Sequence, residues 1–586
     1  MRLNYLAALF LGSFVVAQND YPNLPTSFLQ TSSPVTPLLQ GFPWGTRTAN
    51  NTNPYPPATG VIRAYDFTIK RGTVAPDGYT RDVLLVNGKF PGPLIEANWG
   101  DTIQVTVHNE ISGPAEGTAL HWHGLLQKTS QWMDGVPGVQ QCPIPPGGSF
   151  TYSFLADLYG SSWYHSHYSA QYAGGLFGPM IIHGPSTVNY DIDIGPVMLT
   201  DYYHKDYFSI LEGVMGTNPD LSLIAPQSVN NLINGRNNFD CSTLTSDDTA
   251  HCVSNAGISK FKFTAGKKHR LRLINAGAEA IQMFSIDGHN MTVIANDFVP
   301  IIPYQTQVVT LGVGQRTDVI VQGLPVKQGS YTMRSSIADC SRTIQPNATA
   351  IVYYSIFNKE SKPKSTPWPA FTEAVANNCA NDPLTETQPW FPITPDPSPP
   401  TTETITIGFG QNASGNSVFT MNTVSFRANY NEPILLLSKL GNNSYPDSPE
   451  WNVYNFGSNS SMRIIINNPG GPAHPMHLHG HNMFVESVGL GSWDGTVVRP
   501  ANPQRRDVQI VPAGGYLVLQ ITADNPGAWP LHCHIAWHVS AGLYVTVLER
   551  PADIANLPIP SIMSQTCRDW AAFENTTVVD QIDSGL

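Results

Sequence analysis

Arg272-Leu-Ile-Asn275, Ile286-Asp-Gly-His289 and Gln315-Arg-Thr-Asp318 have echoes later in the chain in Arg463-Ile-Ile-Ile-Asn467, Leu478-His-Gly-His481 and Gln504-Arg-Arg-Asp507. Asn87-Gly88 and Asn234-Gly235 open matching stretches of the first two thirds. Recurrence on this scale predicts three related units. Each unit reads as β structure. Ile103, Val105 and Val107 alternate with Gln104 and Thr106, and Leu517, Leu519 and Ile521 alternate with Val518, Gln520 and Thr522, the period of a strand with one face buried. Glycine and proline number 49 each and charged residues make up only 13% of 586, which favours frequent turns over long surface helices. The expected fold is all-β. His183-Gly-Pro185 closes a first unit over residues 18–185, a second covers 186–375 and a third 376–586. The stretch from Lys362 to Thr402, rich in Pro, Ser, Thr and Asp, reads as the linker into the third.

The N-terminus joins Arg2 to an apolar run from Leu6 to Val16 and small residues before Gln18. This predicts a secretory signal over residues 1–17, the run being too short to span a bilayer. Seven Asn-x-Ser/Thr triplets, at Asn50, Asn290, Asn347, Asn412, Asn442, Asn459 and Asn575, fit an exported glycoprotein. Seven cysteines in an oxidising compartment predict disulfides and leave one thiol for another task. A net charge of -12 without a Lys/Arg cluster argues against a nucleic-acid partner.

Ten of the seventeen histidines fall in four clusters: His121-Trp-His123, His165-Ser-His167, His474-Pro-Met-His477-Leu-His479, and His532-Cys-His534 with His538. Residues two apart on a strand share a face, so each pair offers two rings to one locus. Zinc needs three or four such ligands at a site, and ten histidines with a cysteine exceed that. His474, Cys533 and His538 form a His₂Cys set suited to a blue-copper electron-transfer centre. The eight remaining histidines suffice for three further coppers, and a histidine of that second group flanks Cys533 on each side.

These four motifs resemble those of the multicopper oxidases, and among them the laccases of filamentous ascomycetes, over roughly residues 60 to 586. The resemblance implies three cupredoxin-like Greek-key domains and four copper ions. It implies type 1 copper at His474, Cys533 and His538, type 2 copper at His121 and His477, and a type 3 pair at His123, His165, His167, His479, His532 and His534. Leu543 holds the family's variable axial position, where a non-coordinating side chain favours a stronger oxidant than Met would. Cys142 is expected to pair with Cys567 and Cys340 with Cys379, which leaves Cys241 and Cys252 for each other.

Further residues follow from the same resemblance. Asp134, in Gln131-Trp-Met-Asp-Gly135, and Asp524, in Ala523-Asp-Asn-Pro-Gly527, match positions of carboxylates near the three-copper site, where reduction of O₂ consumes protons. Asp201, in Thr200-Asp-Tyr-Tyr-His204, matches a residue that accepts the phenol proton while the electron leaves through His538. The final residues Asp583, Ser584, Gly585 and Leu586 resemble a processed tail that inserts toward the three coppers as a plug. The implied activity is that of a secreted, monomeric laccase that oxidises phenols and aromatic amines and reduces O₂ to water, with no membrane partner. Lignin fragments, pigment precursors and plant phenols are all candidate substrates. Ferroxidase, ascorbate oxidase and bilirubin oxidase are the enzymatic alternatives, and a non-catalytic copper-binding protein is the alternative of another class.

Overall fold

The computed structural model describes residues 56–216 and 226–586; the expected signal segment and Asn50 lie outside them. Its strands form six sheets. Two four-stranded sheets span Ile62–Val74 to Phe177–His183, a six- and a five-stranded sheet span Ile192–Tyr202 to Asn347–Tyr353, and a second such pair spans Thr401–Gln411 to Tyr544–Glu549. In each unit the long first strand runs parallel to a later one: Ile62–Val74 beside Thr102–Asn109, Ile192–Tyr202 beside Lys268–Asn275, and Thr401–Gln411 beside Ser461–Asn468. Parallel neighbours require a crossover, so the shared pattern is a topological repeat.

Local sequence explains these strands. In Thr102–Asn109 every second residue is buried, with Ile103, Val105 and Val107 at 0% exposure. Gly515–Thr522 departs from that simple alternation, because its outer face is covered too: Val518 is buried, and the buried Gln520 donates to the Asp396 carbonyl. Asn87 and Asn234 take left-handed φ values of 52° and 50° at tight turns. The third unit turns at Asn422-Thr423, with φ 51° and 70°, where a threonine replaces the glycine that would have advertised the turn.

One sequence correspondence is corrected. Lys268–Asn275 and Ser461–Asn468 occupy equivalent places in their six-stranded sheets, but Gln315-Arg-Thr-Asp318 and Gln504-Arg-Arg-Asp507 do not. Arg316–Gln322 is the fourth strand of its sheet, matching Gly515–Thr522, whereas Gln504–Arg506 lies at the edge that Val299–Thr306 occupies in the second unit.

The first and third units share one continuous apolar core, while the second has its own. The helix Ser561–Glu574 returns to the first unit, where Cys567 is bonded to Cys142 and Trp570 is fully buried. Cys241–Cys252 and Cys340–Cys379 complete the disulfides. The expected linker is ordered and strapped to the second unit, Trp368 donating to the Ile286 carbonyl and Trp390 to that of Pro300. Among the described residues no helix is long and apolar enough to cross a membrane. Asn290, Asn347, Asn412, Asn442 and Asn575 are exposed, whereas Asn459 is half-buried with its amide bonded to Thr401.

Candidate metal centres

Strand pairing assembles the histidines. Leu120–Trp122 pairs antiparallel with Gly160–Ser166, setting His121 opposite His165. In the third unit His474–Leu478 pairs with Gly527–Cys533, setting His477 opposite His532 and Met476 opposite Cys533. The helix Ala536–Ser540 then turns His538 back toward Cys533. Two buried groups result.

In the first group the Cys533 sulfur lies 3.5 Å from Nδ1 of both His474 and His538, and those nitrogens are 3.1 Å apart. All three residues are at most 1% exposed. Burial pushes the Cys533 thiol up and pulls His474 down to about 3. Neutral imidazoles are what a metal requires, and a thiolate buried this deeply needs the positive charge a soft cation brings. Leu543 is fully buried; its carbonyl accepts from the Cys533 amide at 3.1 Å and its own amide donates to the His538 carbonyl at 3.0 Å. Phe419 packs against both histidine rings.

The second group lies between the first and third units, four rings from each. His123 stacks on His477, and His121 lies tilted against His479, both pairs with centroids 4.0 Å apart. His479 and His532 approach Nε2 to Nε2 at 3.0 Å, His167 and His532 at 3.4 Å, and His534 Nε2 lies 3.2 Å from His123 Nδ1. Burial holds His532 at about 3 and His123, His165, His167, His477, His479 and His534 well below the ordinary imidazole value. Outward nitrogens donate to the protein: His121 to the Asp134 carbonyl at 2.8 Å, His165 to Ser166, His477 to Asp507, and His532 to Cys533. Each such bond leaves the inward nitrogen a bare lone pair. Nε2 of His121, His165 and His477 has no protein partner, a costly state for buried polar atoms unless a cation receives them. The donor set therefore fits metal at both groups.

Asp134 is fully buried, with one oxygen 3.3 Å from His121 Nδ1 and the other accepting from His479 Nδ1 at 2.8 Å, so it spans the two units. Asp524 is not brought to this locus. Its side chain is 52% exposed and pairs with Lys128 at 2.6 Å, because the Asp-Asn-Pro turn sends Asp524 outward and Asn525 inward. The buried carboxylate there is Glu549, which takes the Asn525 amide and pairs with His481, whose Nδ1 donates to the His479 carbonyl. Sequence reading missed both residues.

Asp201, at the end of Ile192–Tyr202, is buried and accepts the amides of Ala278, Glu279 and Ala280 at 2.6–2.9 Å. It clamps a loop in which any side chain at Gly277 would meet its carboxylate at 2.8 Å. The loop in turn accepts the Ala536 amide on the Ala278 carbonyl at 2.8 Å, between Cys533 and His538. Its Glu279 is 8% exposed, 3.4 Å from the Tyr203 hydroxyl, and pushed well above the usual carboxylate range by burial and then by Asp201. The Tyr203 hydroxyl also receives the indole N–H of Trp537, the neighbour of His538. Glu279 went unread, its only signal being a lone acid in the small-residue loop Ala276-Gly-Ala-Glu279-Ala.

The last four residues, Asp583, Ser584, Gly585 and Leu586, are all buried. Asp583 accepts from Ser169 Oγ at 2.7 Å, and the Gly585 carbonyl accepts from the Ser169 amide and the Tyr430 hydroxyl. Ser584 makes two of the bonds that fasten the tail to the helix bearing His538. Its amide donates to the Ser540 carbonyl at 2.7 Å, its hydroxyl to the Val539 carbonyl at 2.8 Å, and its own carbonyl accepts the Ala428 amide at 2.8 Å. The Ser584 hydroxyl also meets the Leu586 main chain, and Leu586 is the tail residue that lines the cavity. Ser540 Oγ donates to the Leu586 carbonyl at 3.0 Å. Leu586 closes a cavity of ≈ 10 Å³, room for about one water, walled by His165, His167, His532 and His534.

Multicopper oxidase family models match residues 68–187, 193–356 and 394–553. Laccase-2 of Botryotinia fuckeliana is 38% identical over 543 residues, 90% of this chain and 89% of its own length. Dihydrogeodin oxidase of Aspergillus terreus is 35% identical over 574 residues, 91% and 92% of the two chains. The laccase structure from Botrytis aclada superposes with a TM-score of 0.85 at 35% identity, covering 94% of this chain and all of that one.

Proposed function

Because this chain belongs to the multicopper oxidase family, and is a laccase-type oxidoreductase with four copper ions, we propose that its ten clustered histidines and Cys533 divide the coppers between its two buried groups. His474, Cys533 and His538 would hold type 1 copper, with the non-coordinating Leu543 in the family's variable position beside them. His121 and His477 hold type 2 copper, and His123, His165, His167, His479, His532 and His534 hold the type 3 pair. When bound, copper would supply one-electron oxidation of substrate at the first group and four-electron reduction of O₂ at the second, with four protons taken up to give two waters. The observation that carries this reading is Cys533 itself, in contact with His474 and His538 while its chain neighbours His532 and His534 face the eight-histidine group.

The protein's own groups set the chemistry around the coppers. A phenol gives up its proton to Glu279 as its electron departs through His538, and the phenoxyl radical leaves. This narrows the expectation for Asp201, whose oxygens are committed to three amides and which serves by holding Glu279 in place. Asp134 orients His121 and His479. Asp583, Ser584, Gly585 and Leu586 keep bulk water from the three-copper locus.

Residues 1–17 are proposed to direct secretion, with cupredoxin-like domains at 18–185, 186–375 and 376–586 acting as a glycosylated monomer. Asp524 at its exposed turn is left as a surface relay for protons. Similarity to a relative named for a single substrate favours, as a second reading, a narrow substrate range over a broad one. Oxygen uptake by the blue protein tests the activity: simple phenols and aromatic amines should drive it faster than Fe(II), ascorbate or bilirubin. Preference for any of those three would overturn the substrate class, and absence of uptake would leave a copper-binding protein.

A further inference from the structure

The second unit supplies none of the ten histidines, yet one of its side chains reaches the eight-histidine locus. Arg316 opens the strand Arg316–Gln322 and is fully buried. Its two terminal nitrogens grip both oxygens of Asp507, at 2.5 and 2.7 Å. Its Nε donates to the carbonyl of Ser161 at 3.1 Å, in the first-unit strand that carries His165. Asp507, from the third unit, accepts from His123 Nε2 of the first at 3.2 Å. One guanidinium thus ties together all three units beside a candidate ligand.

The tie has a chemical consequence. His121, His165, His477 and His532 are each backed at Nδ1 by a main-chain carbonyl, which turns Nε2 inward. His123 is reversed: Nδ1 points at His534, and Nε2 is backed by a side-chain carboxylate. A main-chain carbonyl is positioned by its strand, but a carboxylate can rotate, so its orientation needs a holder. The planar fork of Arg316 meets both oxygens and fixes that rotation, which a lysine point charge would not do. Behind the ring stands Gly314, where a Cβ would lie 2.9 Å from His534 and 3.0 Å from His123. We propose that Arg316 is a positioning residue which, through Asp507, selects the nitrogen that His123 offers to the three-copper locus, so that the second unit governs a site to which it gives no ligand. This rests on His123 being a ligand, as proposed above.

The test uses copper-loaded full-length protein carrying Arg316→Met, Arg316→Lys or His123→Ala, read by copper per molecule, blue absorbance and the type 2 electron paramagnetic resonance spectrum. Arg316→Met is expected to stay blue, to lose copper affinity at the three-copper locus by about 10- to 100-fold and to show an altered type 2 spectrum, with Arg316→Lys restoring only part. A blue Arg316→Met protein with four coppers and the parental spectrum overturns the proposal, while loss of copper in His123→Ala alone shows that the ligand reading still stands. Full copper in His123→Ala overturns that reading instead. If Arg316→Met accumulates no blue protein, Arg316→Met with Asp507→Asn removes the uncompensated carboxylate and asks the same question. Failure of that pair too would make Arg316 a folding element and sink the proposal.

Discussion

The two buried centres share the segment His532-Cys533-His534 and yet are built by different means. The His474, Cys533 and His538 group comes from one unit, from a strand pair and the short helix that follows. The eight-histidine group takes four rings from the first unit and four from the third, and it is braced by Asp134, Asp507 and Arg316. A centre inside one unit depends on strand register; a centre between units depends on how those units dock. The outer contacts of the two differ accordingly. Backbone bonds of Leu543 frame the first, whereas buried carboxylates hold rings of the second.

The largest effect should come from Cys533→Ser, which removes the thiolate from the first centre alone. Blue absorbance, one copper of four and phenol-driven oxygen uptake should vanish while the type 2 resonance survives; its disappearance would mean that the centres do not assemble separately. Asp134→Asn attacks the second centre in the same spirit. With blue absorbance intact, reoxidation of the reduced protein by O₂ should slow about 10- to 100-fold, and an unchanged rate would remove Asp134 from the site.

Glu279→Gln probes the substrate side and should lower phenol turnover about 10²-fold while sparing a non-phenolic dye. Burial raises the pKa of Glu279, so its proton-accepting form appears only as pH rises through values above the ordinary carboxylate range. Phenol oxidation should climb over that window in the parent and not in the variant; matching pH profiles would return the role to Asp201. Asp201→Asn should instead loosen the loop and weaken phenol and dye oxidation together. Deleting residues 583–586 should open the cavity beside His165 and His532 and change oxygen reduction or copper retention by several-fold, with neutrality marking the tail as dispensable. The smallest change belongs to Leu543→Met, where copper content should hold and only the type 1 potential should fall in a redox titration.

Much of both centres was legible from near spacing, the eight-histidine group from its four His-x-His pairs and the first centre from its His₂Cys donor set, readings that need no knowledge of the fold. Asp134 was legible from its motif. The exposed placement of Asp524 was not legible, because a turn sequence specifies the turn but not which of two adjacent side chains faces inward. The tail was legible as a unit, but its division of labour was not, since the anchoring of Ser584 on Val539 and Ser540 depends on a helix more than forty residues away. Arg316 and Asp507 were visible only as parts of a repeat, and the repeat was misaligned: similar tetrads fall on non-equivalent strands yet meet in space. Asn422-Thr423 hid the third unit's turn for a related reason, its backbone conformation being enforced by the surrounding sheet without glycine.

The sequence alone determined the all-β class, the threefold repetition and the residues able to hold copper, since period-2 patterning and ligand softness are properties of residue type and near spacing. Only the tertiary structure decided which acids face those residues, that the Asp201 carboxylate accepts three amides of the loop that carries Glu279, and how the second unit reaches the cluster. Those contacts join residues far apart in the chain, and their partners are chosen by the packing of three units against one another.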